Sequence, residues 1–244
     1  MTLSGFRVAP RIGHLEHAKC VYGYLYKFRG STNTIDTEEP DFTDLPKSDD
    51  EWAYSVYGNV RELIPNDAPK PLGKRVTTVT YVDANLYHDV VTGRSVTGIL
   101  HLLNKFPIDW YSKKQATVET ATYGSEFVAA RIATDQIVDM RTSLRYLGVP
   151  IYEKSYLFGD NRSVVDSSTV PDSKLHKRHQ ALSWHRVREA IASGMLEFHH
   201  IPGNLNPADM LSKHWGFQQI KDILKWLLLR ARPSMQQIGG EWQD

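Results

Sequence analysis

Hydrophobic positions follow two different rhythms along this chain. Arg75–Val82, Ser95–Leu103 and Ile108–Tyr111 are segments rich in Val, Ile, Thr, Tyr and Trp with turn residues between them. That pattern predicts three sequential strands paired antiparallel. The rhythm then becomes helical. Phe127, Ala130, Ala133, Ile137, Met140, Leu144 and Leu147 mark one face of a long amphipathic helix that Gly148 and Pro150 stop, and this helix is expected to cross back over the sheet. Tyr156–Phe158 reads as a buried strand, Lys174–Ala192 as a helix and Leu196–Ile201 as a strand. Asn206-Pro207 reads as the N-cap and first position of another helix. The predicted order is β-β-β-α-β-α-α-β-α, an α/β fold.

On either side of this region the pattern weakens. Ile12–Phe28 carries Leu15, Ala18, Val21, Tyr22, Leu25 and Phe28 at helical spacing, which predicts a short helix. The following stretch, Gly30 to Pro71, is rich in Ser, Thr, Asp, Glu and Pro and includes the polar run Thr37–Asp50, so it reads as a linker and places a boundary there. After Trp215, Ile220, Ile223, Leu224, Leu227 and Leu228 return at helical spacing with Lys221, Lys225 and Arg230 interleaved, predicting a helix that packs on the domain. Arg232 to Asp244 reads as a frayed end. The division expected is a connecting segment over 1–74, a domain over 75–215 and a C-terminal helix and tail over 216–244.

Bulk properties exclude more than they identify. At 244 residues, with 41% hydrophobic and 23% charged residues, the chain has the composition of a globular protein and room for a full catalytic core. A formal net charge of +1 says nothing about local basic patches. The single cysteine, Cys20, supports neither an internal disulfide nor a Cys-rich zinc site. The most apolar run, Ile223–Leu229, is interrupted by Lys225 and is far short of the roughly 20 residues needed to span a bilayer. Met1–Cys20 lacks the features of a secretory signal, so a cytoplasmic or nuclear setting is expected.

Four carboxylates fall near the ends of predicted elements. Asp83 closes the first strand, Glu126 lies near the start of the long helix, Asp160 follows the fourth strand and Asp209 opens a late helix. Alone, each is the sort of residue that caps a helix or turn. Their surroundings say more. Tyr81-Val82-Asp83-Ala84, Trp110-Tyr111-Ser112-Lys113-Lys114-Gln115, Glu126-Phe127-Val128-Ala129-Ala130, Gly159-Asp160-Asn161-Arg162-Ser163 and Asn206-Pro207-Ala208-Asp209-Met210-Leu211-Ser212-Lys213 resemble, in order, the successive blocks of the ribonuclease H domain of copia-type retrotransposon polyproteins. The segment from His17-Ala18 to Tyr24-Leu25 resembles the stretch that joins reverse transcriptase to ribonuclease H in the same elements.

This resemblance implies a mixed five-stranded sheet flanked by helices, with an N-terminal helix and polar linker, as the C-terminal part of such a polyprotein. It implies an endonuclease that hydrolyses the RNA strand of RNA/DNA hybrids with two Mg²⁺ ions, Mn²⁺ being an alternative. Two cations about 3.5–4 Å apart serve both the attacking water and the departing 3′ oxygen, and Mg²⁺ prefers hard oxygen ligands. Asp83 and Asp160 are implied as central ligands, and Glu126 and Asp209 as flanking ones. The sequence departs from the family at Gly124, where a second acid is common, and at Asn85, where an Asp is usual. Gly203-Asn204-Leu205 stands where many cellular ribonucleases H have a His, while His199 and His200 on the preceding strand receive no catalytic role.

The candidate nucleic-acid contacts are Lys113, Lys114, Lys174, Lys177 and Arg178 for phosphates, with Asn161, Arg162 and Gln115 for the 2′-hydroxyl side. Trp110 and Trp184 read as core aromatics in preference to sugar-stacking ones. A reverse transcriptase domain of the same polyprotein is an expected partner beside the RNA/DNA hybrid. Three readings stay open: the hybrid-cutting nuclease, a catalytically silent remnant or host-adopted module that binds nucleic acid, and another nuclease or integrase on the same sheet.

Overall fold

Three strands rich in β-branched and aromatic residues meet in a continuous antiparallel meander, and the rest of the domain is built on it. In the computed structural model of the chain, residues 7–27, 29, 35–46, 52–152, 154–175, 177–216, 218–221 and 223 are described. They fall into two compact units, one of residues 1–35 and 218–244 and one of residues 36–217. In the first unit the helix expected near the N-terminus is α1, Ile12–Lys27. Phe28, Leu224, Leu227, Leu228 and the tail from Arg232 to Asp244 lie outside the described residues. No described helix is long and apolar enough to cross a membrane.

The second unit holds β1 (Thr78–Asp89), β2 (Arg94–Leu103), β3 (Phe106–Lys114), α2 (Thr122–Tyr146), β4 (Ser155–Gly159), α3 (Arg162–Thr169), α4 (Ala181–Ala192), β5 (Leu196–His200) and the single turn α5 (Asp209–Ser212). The sheet order is β3-β2-β1-β4-β5. Strands β1, β2 and β3 pair antiparallel, and β4 and β5 add on in parallel. This is the mixed five-stranded, helix-flanked sheet that the resemblance implies. The β2–β3 hairpin turns through Asn104, whose φ of 54° an Asn adopts at small cost. Its side-chain oxygen accepts from the Thr77 amide at 2.8 Å, and its amide donates to the Thr37 carbonyl at 2.9 Å.

Helix α2 fits closely on the sheet because its inner face is small. Ala129, Ala130 and Ala133 are fully buried beside Phe127 and Ile137, and they meet Val82, Ala84, Ile99 and Leu157 from the strands. Val187, Ala190 and Trp184 of α4 complete the same core, and the Trp184 indole donates to Ser167 of α3 at 3.2 Å. The opposite face of the sheet is covered in part by the segment after residue 35, where Phe42 packs on Tyr156 and Phe158 at ring separations of 4.5 and 5.4 Å.

Several boundaries differ from expectation for physical reasons. β1 runs past Val82 to Asp89, because β2 continues to pair with it after β4 has stopped. The helix expected from Lys174 begins at Ala181, after a short 3-10 turn over Arg178–Gln180. There the buried Glu119 accepts from the Gln180 amide at 3.0 Å and meets His179 at 3.1 Å. Asn206 is not a helix N-cap: its amide donates to the Val82 carbonyl at 2.9 Å and its oxygen accepts from the Ala208 amide at 3.1 Å, so α5 starts only at Asp209. Trp110, expected in the core, is 67% exposed because β3 is an edge strand.

The segment with linker composition is tied to the domain by charge. Glu62 accepts from Arg141 at 2.9 and 2.7 Å and from Arg145 at 2.7 Å, and Arg141 also donates to Ser155 at 3.0 Å. Arg141 is fully buried. Burial works against the Glu62 charge, but the two guanidinium groups outweigh it and hold the carboxyl below its usual range. Removing one partner of such a pair leaves an uncompensated buried charge, which costs about 3–5 kcal/mol. Glu62→Ala is therefore expected to lower the unfolding free energy by about that amount in urea melts at neutral pH. A loss of about 0.5 kcal/mol or less, typical of an exposed surface change, would show that the segment does not brace the domain.

Candidate metal centre

The acidic residues converge where the pairing of the two central strands ends. The β1–β4 pairing stops at Val82↔Gly159. The next residues along, Asp83 and Asp160, sit where the strands part. Asp83 is thus in the middle of β1 and not at its end, while its partner across β2 is Gly98. Glu126 comes in from the first turns of α2, and Asp209 from the start of α5.

Asp83, Glu126 and Asp160 each offer a carboxylate oxygen, and these oxygens all lie within 4.8 Å of one another. Asp83 and Glu126 are buried and Asp160 is half-buried. Asp209 stands outside that trio. Lys213, on the residue just after α5, contacts the Asp209 carboxylate and lies 3.4 Å from Asp83 Oδ1. The Ser212 hydroxyl donates to Asp83 Oδ2. Sequence reading picked the four acids but assigned no role to Ser212 or Lys213. The signal was present in the spacing, since Asp209 and Lys213 are four apart on a helical turn and meet side by side.

Glycine sets the distance between α5 and the sheet. A Cβ on Gly98 would lie 2.6 Å from the Ala208 carbonyl oxygen and 2.9 Å from the Ser212 amide nitrogen, so the turn can rest on β2 beside Asp83 only because no side chain is there. The Ser112 hydroxyl of β3 fastens the same turn by donating to the Leu211 carbonyl at 2.5 Å. Gly124, where the resemblance leads one to expect a second acid, could take a side chain only if the ends of Glu119 and Gln180 moved aside. A Cβ there would meet Glu119 and Gln180 at 2.4 Å.

Burial dominates the electrostatics, and the crowding of like charges adds to it. Burial pushes the Asp83 carboxyl up to about 6, with Lys213 and Ser212 opposing and the Asp160 and Asp209 charges adding. Glu126 is raised well above the usual carboxylate range, first by burial and then by Asp83 and Asp160. Asp160 is raised as well, again chiefly by burial. Lys213 goes the other way. Burial disfavours its ammonium, but Asp83 and Asp209 more than compensate and raise its pKa. Three hard oxygen donors that repel one another and share one small volume fit a divalent cation of the Mg²⁺ or Mn²⁺ type.

The basic candidates lie around this centre with different degrees of freedom. On β3, Ser112 sits opposite Gly98, so Trp110 and Lys114 project from the same sheet face as Asp83. Lys114 pairs with Asp89 at 2.7 Å. Lys113 is exposed and lies over the Tyr111 ring at 5.2 Å. Arg162 is exposed and pairs with Asp166 at 3.1 Å, and Asn161 caps α3 by accepting from the Val164 amide at 3.3 Å. Lys174 and Arg178 are exposed and Lys177 is partly so, on the segment between α3 and α4. That segment is held by the buried Arg188, which donates to the carbonyls of Ser167, Val170 and Pro171. Gln115 must be struck from the nucleic-acid candidates. It is buried, and its amide donates to Thr97 at 3.0 Å and to the Ser125 carbonyl at 2.8 Å, bracing β3 against the start of α2. His200 reaches the Asp160 backbone carbonyl at 3.1 Å, while the buried His199 faces Glu197 at 3.4 Å.

The raised carboxyls carry a stability cost with a definite pH course. Between about pH 4 and 6 the folded chain keeps a proton on Asp83 that the unfolded chain has released, so stability of the cation-free protein falls as pH rises through this window and stays low above it. Glu126 extends the same trend upward. In cation-free buffer at pH 7.5, Glu126→Gln is expected to raise the melting midpoint by about 2–4 °C or more, corresponding to ~1 kcal/mol in a chain of this size. A lower midpoint for the neutral variant would mean that the ionised carboxylate is stabilising.

No protein-family model matches the chain. It is 31% identical over 134 residues to the "Retrovirus-related Pol polyprotein from transposon TNT 1-94" of Nicotiana tabacum, an alignment that covers 54% of this chain and 10% of that protein. It is 26% identical over 141 residues to the "Retrovirus-related Pol polyprotein from transposon RE2" of Arabidopsis thaliana, covering 58% and 10%. The chain thus spans about a tenth of the length of the curated relatives it matches. Among solved structures, the N-terminal RNase H domain of rv2228c from Mycobacterium tuberculosis aligns at 13% identity with a TM-score of 0.44, covering 56% of this chain and 91% of that one. LC11-RNase H1 in complex with RNA/DNA hybrid aligns at 16% identity with a TM-score of 0.44, covering 55% and 93%. More than half of the chain is therefore similar to a stretch of retrovirus-related Pol polyproteins of plant transposons, and that similarity goes with a five-stranded sheet in the order β3-β2-β1-β4-β5.

Proposed function

We propose that residues 75–215 form a divalent-cation-dependent endonuclease that hydrolyses the RNA strand of RNA/DNA hybrids during retrotransposon reverse transcription. Residues 1–74 would then be the connection toward a reverse transcriptase domain of the same polyprotein, and 216–244 a C-terminal helix and tail. The observation that carries this reading is the convergence of Asp83, Glu126 and Asp160, from three different elements, on one partly buried volume. The homology to retrotransposon Pol polyproteins supports the choice of reaction.

Asp83 and Asp160 would hold the cations centrally, with Glu126 and Asp209 each contributing from one side. Two bound cations would supply a nucleophilic water and neutralise the departing 3′ oxygen, as the chemistry of phosphodiester hydrolysis requires. The chain's own part is orientation. Ser212 fixes Asp83 through its Oδ2, Gly98 lets α5 bring Asp209 up to the sheet, and Asn161 caps the helix that follows Asp160. Lys113, Lys114, Lys174, Lys177 and Arg178 would take hybrid phosphates, which position the duplex without reading its sequence. Arg162 and Asn161, next to Asp160 in the chain, would approach the strand being cut. The exposed Trp110 offers a flat apolar face near the same surface.

The test is cleavage of a labelled RNA/DNA hybrid by the purified chain in Mg²⁺. The native chain is expected to cut the RNA strand alone. Asp160→Asn is expected to lose about 10³-fold or more in rate, equivalent to about 4 kcal/mol of transition-state stabilisation. Hybrid binding without cutting, in Mg²⁺ and in Mn²⁺ alike, would replace this reading with that of a silent nucleic-acid-binding module.

A further inference from the structure

We propose that Lys213 is a built-in counter-ion of the metal centre, occupying the Asp83–Asp209 side in the cation-free chain and giving way when a divalent cation loads there. This rests on the reading of the four acids as a divalent-cation site.

The geometry divides the acids unequally. Asp83, Glu126 and Asp160 share a volume with mutually close oxygens. Asp209 does not join them, and its carboxylate is taken up by Lys213. The same ammonium lies 3.4 Å from Asp83 Oδ1, while Asp83 Oδ2 is engaged by Ser212. Both oxygens of Asp83 are therefore held from the end of α5, one by a neutral hydroxyl and one by a positive charge. The Lys213 backbone amide donates to the Asp209 carbonyl at 3.0 Å, which anchors the base of the side chain and keeps the ammonium within reach of the site.

A divalent cation and an ammonium cannot both sit against Asp83 Oδ1 and Asp209 without strong repulsion, since like charges a few ångströms apart oppose each other even at partial solvent exposure. One must leave. The lysine has the means to do so: its side chain is 35% exposed and its four-carbon stem is flexible. Loading then becomes stepwise. The Asp83–Glu126–Asp160 volume accepts a first cation without drawing on Asp209, whereas the Asp209 side accepts one only after the ammonium has swung out. Lys213 thereby sets the cation concentration at which the centre is complete, and it offsets part of the repulsion among the acids while the chain is unloaded.

The experiment is Mn²⁺ binding to the chelator-stripped full chain, followed by the loss of the free Mn²⁺ paramagnetic resonance signal, for the native protein, Lys213→Met and Lys213→Arg. The native chain should show one tighter and one weaker class of site. Lys213→Met should tighten the weaker class about tenfold or more, the effect of removing one neighbouring unit charge, and Lys213→Arg should bind as the native chain does. Identical isotherms for the native chain and Lys213→Met would overturn the proposal while leaving the metal centre standing. Absence of Mn²⁺ binding in every form would instead overturn the reading on which it rests, and the proposal with it. A second readout needs no variant: reductive methylation of the native chain, scored peptide by peptide, should label Lys213 several-fold faster with Mn²⁺ than without it, relative to Lys113. An unchanged or slower rate would show that the ammonium stays in place.

Discussion

The constraint on which this structure turns is the confinement of mutually repelling carboxylates in a poorly solvated corner of the sheet. Asp83 and Glu126 are buried and face Asp160 at close range. Nothing in folding alone rewards such an arrangement, because each charge loses hydration and gains like-signed neighbours. It persists because everything around it is rigid. Two strands part at this point, a long helix is pinned to the sheet by a face of alanines, and a helical turn is pressed against a glycine. The instability stored here is the usual counterpart of a site prepared for a ligand of opposite charge.

The supporting frame distributes this cost over the whole unit. Arg141, a buried residue of α2, ties the irregular segment around Glu62 to the helix that delivers Glu126. Arg188 gathers the carbonyls at the end of α3 and lies against Trp52 and Trp184 at 4.8 and 4.3 Å. In this way it fixes the segment that carries Lys174, Lys177 and Arg178. Glu119 does the same for His179 and Gln180 from the other side. Separate clusters of buried charges and hydrogen bonds thus hold the helix that brings Glu126 and the segment that carries Lys174, Lys177 and Arg178.

Much of this was legible in the sequence, for reasons that differ by element. The strands and α2 were readable because burial on a sheet or against it imposes periods of 2 and 3.6, and Phe127, Ala130, Ala133 and Ile137 obey the second closely. The far half of β1 was not, because Asn85, His88 and Asp89 are polar and that half is held by the pairing of Asn85 and Asp89 with β2. Gln115 read as a candidate for the 2′-hydroxyl side of a hybrid, but it turns inward where β3 meets α2. Trp110 looked like a core aromatic and is exposed at a sheet edge, since strand order is a property of the assembled sheet and not of any one segment. The pairing of Glu62 with Arg141 joins residues 79 apart, a contact no local pattern encodes. Among the acids, order and flanking residues sufficed to choose Asp83, Glu126, Asp160 and Asp209. That the last would be held by Lys213 was visible only as a four-residue spacing.

The central claim is that these acids form one divalent-cation centre, and diffraction from crystals grown in Mn²⁺, collected at the manganese absorption edge, tests it most directly. The account predicts anomalous density among the carboxylates of Asp83, Glu126 and Asp160, with further density beside Asp209 at higher Mn²⁺ and the Lys213 side chain turned away. Anomalous density confined to other parts of the surface, with the three carboxylates unchanged, would contradict it.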